Sequence, residues 1–228
     1  MKKFFILIVA VLVILTTGET LVAQDEKKSD KSHMMGSKSM SNPSVELRTA
    51  MRKLWEDHVT WTRNVILCLV DDLPGTDQAV ARLLRNQDDI GNAIKPYYGD
   101  AAGNKLGELL HEHINVSADV VKAAKASDNT ALDAANKKWF ANADEISEFL
   151  SNANPNWKLE DMKTMMHDHL KLTTDEALAR IKKDYDADIT AYDKVHDEIL
   201  LMSDMLTEGI VKQFPDKFKG DRTVGMNK

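Results

Sequence analysis

Three histidines recur along the chain in one local setting. They lie in WEDHVTWT (His58), LHEHINVS (His113) and MHDHLKLT (His169), each after an acidic residue and each four positions before a hydroxyl: Thr62, Ser117 and Thr173. They are spaced 55 and 56 residues apart. Neutral imidazole suits zinc, copper, nickel or iron, so these residues together read as a candidate site for a divalent transition metal, with His196 and the carboxylates Asp89 and Asp144 assisting. Glu198 is a further nearby carboxylate, and Glu176 lies seven residues beyond His169. The hydroxyls Thr62, Ser117 and Thr173, with the amides Asn86, Gln87 and Asn142, could instead hold a small polar ligand. A third chemistry is general acid–base work by a histidine beside a carboxylate. A fourth reading needs no ligand, because hydrogen bonds among the same groups can lock helices into register. His111 and His167 do not join in. Each is two residues from its neighbour, about 200° around a helix axis, so it cannot face the same ligand.

The elements that must carry these residues are helices. Apolar positions recur at spacings of three and four, as in Leu47, Met51, Leu54, His58, Val65, Leu69 and in Leu106, Leu110, His113, Ser117, Val120. The third stripe runs Leu159, Met162, Met166, His169, Thr173, Ala177, which puts all three histidines on core-facing stripes. A turn signal follows each, at Leu73-Pro74-Gly75-Thr76, near Asp128-Asn129 and near Asp184–Asp186, with Thr76, Asn129 and Asp186 as the expected N-caps. Second helices follow, each with an acidic pair before isoleucine: Asp88-Asp89-Ile90, Asp144-Glu145-Ile146 and Asp197-Glu198-Ile199. Longer breaks, KPYYGD and NANPNW, separate the units. The expectation is an all-α domain, a six-helix bundle of three repeated antiparallel hairpins. Its helices fall near 44–73, 76–95, 103–126, 129–152, 159–183 and 186–214. At about 1.5 Å per residue the polar groups share a slab one to two turns thick.

Composition agrees. Of 228 residues, 43% are hydrophobic and 29% charged, with only 10 Gly and 5 Pro, which favours long helices over a β-sandwich. The net charge of −6 disfavours a nucleic-acid partner. A single cysteine, Cys68 in the apolar run VILCLV, excludes an internal disulfide and reads as an inert core thiol. No Glu-x-x-His pair occurs at the slab, and G-x-S-x-G, a P-loop and H-E-x-x-H are missing from the sequence, so no enzyme class is indicated.

Residues 1–24 have the grammar of a signal peptide: Lys2 and Lys3, twelve apolar residues from Phe4 to Leu15, then Val22-Ala23-Gln24 before a charged run. The run is shorter than the roughly 20 residues that cross a bilayer, so no permanent membrane anchor is expected after cleavage. Its removal leaves 28 basic and 35 acidic side chains, net −7, in a periplasmic or secreted protein. Residues 25–43 read as a flexible polar linker, in which His33, Met34, Met35 and Met40 could meet copper or be chance. The bundle spans 44–218, and 219–228 reads as a disordered tail.

The stretches WEDHVTWTRNVI, LPGTDQAVARLL, NQDDIGNAIKPYYGDAAG, WFANADEI, AYDKVHDEIL and GIVKQFPDKF resemble a family of small exported bacterial helical proteins whose function is uncharacterised. The resemblance runs from about Leu47 to Phe218 and implies export and an all-helical domain. Members sometimes carry enzyme names such as glycosyltransferase or acetylglutamate kinase. Those activities are associated with α/β folds, whereas this chain shows no strand–helix alternation. The functional expectation is an exported bundle that binds a metal or small polar ligand in its histidine layer. The alternative is a non-enzymatic envelope scaffold or protein-interaction module, with Tyr97, Tyr98 and Trp157 either as contact points or as caps over the bundle ends.

Overall fold

The computed structural model describes residues 42–219, so the expected signal peptide, most of the linker with its His/Met group, and most of the tail lie outside the described residues. The described chain is all-helical, without strands. It forms α1 (Pro43–Val70), α2 (Thr76–Lys125), α3 (Asn129–Ala153), α4 (Leu159–Ile181), α5 (Tyr185–Gln213) and a 3-10 turn at Pro215–Phe218. None of these helices is long and apolar enough to cross a membrane.

Five helices stand where six were expected. The segments 76–95 and 103–126 join into α2, whose backbone leaves the helix only at Gly99, at φ 83° and ψ 168°. Pro96 removes one helical donor just before, and Gly99 adopts a conformation that a side chain would oppose. The two arms of α2 then come together: a Cβ on Gly91 would stand 2.5 Å from the Gly103 carbonyl oxygen, so only glycine permits this approach.

Three helix ends share one device. Leu73 N–H bonds Cys68 O, Asp128 N–H bonds Ala123 O and Asp184 N–H bonds Ala179 O, each at 3.0 Å. The residue before each donor has a positive φ, namely Asp72 (53°), Ser127 (55°) and Lys183 (60°). This is the six-to-one closure that satisfies terminal carbonyls. It directs the chain straight into the next helix, so the expected caps shift. Asp128 and Asp184 cap α3 and α5 through Ala131 and Ala187 N–H, and Gly75 precedes α2 without a side-chain cap.

The buried faces overlap the expected stripes at Met51, His58, Val65, Leu106, Leu110, His113, Met162, Met166 and His169, whereas Leu47, Leu54 and Leu69 are only half-buried and Trp55 and Val59 are buried beside them. Met51, Trp55 and Val59 of α1 meet Ile90 and Ile94 of α2, Ile146 and Leu150 of α3, Met162 and Met166 of α4, and Ile199, Met202 and Ile210 of α5. Cys68 packs at a second apolar cluster with Val65, Ala79 and Leu83. Tyr98 and Trp157 are closing groups at the far end. Trp157 is buried, while the Tyr98 hydroxyl donates to Gln213 Oε1 at 2.8 Å and accepts from Asn154 Nδ2 at 2.9 Å. Tyr97 stacks on Phe218 beside them.

Candidate functional site

His58, His113 and His169 are all buried and line one central cavity. The His58 and His169 ring centroids are 5.7 Å apart. Each histidine turns Nδ1 to a residue 29 positions later. His58 Nδ1 accepts from Gln87 Nε2 at 3.3 Å, His113 Nδ1 meets Asn142 Oδ1 at 2.7 Å, and His169 Nδ1 meets Glu198 Oε2 at 2.9 Å. Trp139 Nε1–H donates to His113 Nε2 at 3.1 Å. That donor leaves Nε2 unprotonated and makes His113 Nδ1 the proton carrier toward Asn142. Both nitrogens of His113 are therefore engaged.

The amides tie the layer to the backbone. Asn86 Nδ2 donates to Leu54 O at 3.0 Å and Asn142 Nδ2 to Leu109 O at 3.1 Å, in both cases the carbonyl four residues before a core histidine. Burial holds the His58 imidazole well below its ordinary pKa, and the neighbouring His169 and His113 push the same way. Burial also brings His113 down to about 4, against a smaller opposing effect of Asn142. Both rings are neutral at pH 7.

Three expected members lie outside this layer. His196 pairs with Glu56 at 3.3 Å on the partly exposed side, Asp144 pairs with His167 at 2.9 Å, and Asp89 is exposed. They stand within two residues of the layer's members along their helices but at a different angle. Asp89 is two residues past Gln87, Asp144 two past Asn142, and His196 two before Glu198, which turns each about 200° from the residue that reaches a histidine. His111 makes a similar outer pair with Asp88 at 2.9 Å.

Sequence reasoning missed a buried ion cluster. Arg63 Nη1 bonds Glu176 Oε1 and Asp188 Oδ1, each at 2.7 Å, and Arg180 reaches Asp188 at 3.5 Å. Glu176 and Asp188 are almost fully buried. Burial raises the Glu176 pKa to about 7, although Arg63 opposes the rise. The four residues come from α1, α4 and α5, so no local spacing announces them.

The hydroxyls lie on the opposite side of the layer from Met51 and Trp157. Thr62 donates to His58 O and Ser117 to Ile114 O, each at 2.8 Å, while Thr173 Oγ1 is buried without a partner. All three line a second cavity of about 160 Å³, against about 30 Å³ for the first. An empty void of the larger size forfeits about 4 kcal/mol of packing stability.

Among the described residues, no group of three or more His, Cys, Asp or Glu side chains is arranged to hold a metal ion. No protein-family model, curated protein or solved structure matches the chain.

Proposed function

We propose that this protein is an exported, non-enzymatic helical scaffold or interaction module whose histidine layer is structural. The observation that carries this reading is His113, whose two ring nitrogens are both spent inside the fold, on Asn142 and Trp139. A metal at His113 Nε2 would have to displace the Trp139 N–H and leave it buried and unpaired, at a cost of roughly 1–3 kcal/mol. The finer reading is of three repeated hairpins joined by the Gly99 and 154–158 connections. The shared 29-residue offset and the three like helix ends support it. Membership of the exported helical family, signal-peptide cleavage near Gln24 and a periplasmic or secreted location belong to the same reading. So do the absence of a nucleic-acid partner and of a membrane anchor. Mass spectrometry of the exported chain tests the cleavage, and a retained Met1 in a cytosolic protein would contradict it.

A second reading keeps a divalent transition metal or small polar ligand between His58 and His169. It is favoured by their 5.7 Å ring separation and by Gln87 Oε1 and Glu198 Oε1, both buried without a partner. One experiment separates the two readings. Elemental analysis of untagged protein is combined with thermal melts in zinc, copper, nickel and iron. The structural reading expects no stoichiometric metal and no shift. A bound metal whose effect His58→Gln removes would favour the second.

A further inference from the structure

The larger cavity lies between the histidine layer and the helix ends at Asp72, Ser127 and Lys183, and neither reading of the layer uses it. Its walls include Val65 and Ile66 of α1, Leu83 and Val121 of α2, Trp139 of α3 and Ala177 of α4. Its volume, about 160 Å³, matches that of an apolar engineered cavity known to stay dry and take up benzene. No charged side chain lines it, so a charged guest would be stripped of water with no counter-ion.

We infer that this cavity is a binding site for a neutral, mainly apolar molecule of about the size of a substituted benzene, bearing one hydroxyl group. The hydroxyl requirement comes from Thr173. Its Oγ1 is buried without a hydrogen-bond partner, and its residue, only 5% exposed, lines the cavity. Thr62 and Ser117 have already given their protons to helix carbonyls, so their oxygens remain only as acceptors. A phenolic hydroxyl, which both donates and accepts, suits this set, whereas a pure hydrocarbon leaves Thr173 unpaired. The Trp139 indole offers an aromatic wall, and half-buried Leu69, Leu132, Asn136 and Leu178 mark the way in.

The test uses the full chain with phenol and toluene as probes, followed by calorimetric titration and thermal melts. Saturating phenol should raise Tm by about 5 °C, and toluene should bind more weakly. Thr173→Val, equal in shape, should lower phenol affinity about fivefold to tenfold while leaving toluene affinity unchanged. Ala177→Leu should abolish both. Should Ala177→Leu fail to fold, the Thr173→Val comparison decides alone. Absence of phenol binding, equal phenol affinity in wild type and Thr173→Val, or undiminished binding in a folded Ala177→Leu variant would overturn the proposal.

Discussion

On one side of the histidine layer the helices meet through Met51, Ile146, Trp157, Met166, Met202 and Ile210, and about 30 Å³ stays open. On the other they meet through Val65, Val121, Ala124 and Ala177, and about 160 Å³ stays open. Helices α1 to α4 bound both halves and α5 lines only the first, so the two differ in side-chain size and in the wall that α5 supplies. Long, adaptable methionines and a tryptophan fill the first half. The alanines and valines that line much of the second leave it open. The layer thus divides a core that provides rigidity from one with room for a guest.

The largest expected effect tests the filled half. Ile210 is fully buried there, so Ile210→Ala should cost about 2–5 kcal/mol in urea denaturation. A loss under 1 kcal/mol would mean that this half is also loose.

The layer between the halves should give the protein its acid sensitivity. The His113 pKa is near 4 when folded, against an ordinary value near 6.5. The unfolded chain therefore binds the proton first as pH falls. The contribution is complete above pH 6.5 and is lost down to about pH 4, roughly 3 kcal/mol, with His58 acting in the same direction. Glu176, raised to about 7 from a usual 4.5, works oppositely: its folded form takes up a proton first as pH falls from 7, which favours folding. Two histidines outweigh one carboxyl, so stability should fall from pH 6.5 to 4. His113→Gln should flatten that limb, and Glu176→Gln should steepen it, as followed by urea melts at several pH values.

Adding one carbon should have opposite signs in the two halves. A Cβ at Gly209 runs into the Trp157 indole, so Gly209→Ala should destabilise by about 1–3 kcal/mol. Ala177→Val, facing the open half, should be neutral or stabilising by up to about 1 kcal/mol. Equal losses at both positions would erase the distinction. The smallest effect is expected at the rim, where His111→Ala, which removes a partly exposed pair with Asp88, should change stability by less than about 0.5 kcal/mol.

The helices and the convergence of His58, His113 and His169 were legible because a 3.6-residue period reports both element and face. That six expected helices became five follows from α2 resuming directly after Gly99, where KPYYGD reads as a loop. Asp89, Asp144 and His196 each stand two residues from the side chain that reaches a histidine, and the 200° offset that sets His111 and His167 aside applies to them as well. Arg63 with Glu176 and Asp188 was invisible because its members are 113 and 125 residues apart in sequence. The void was equally invisible: small residues such as Ala124 and Ala177 mark close approach as readily as empty space, and only helix spacing decides which.

The most direct measurement is a crystal structure determined under xenon pressure. Xenon should occupy the half bounded by Val65, Val121 and Ala177 and leave the half bounded by Met51, Met166 and Ile210 empty. Xenon in both halves, or a larger half closed by inward movement of the helices, would contradict the division of the core into a filled and an open side.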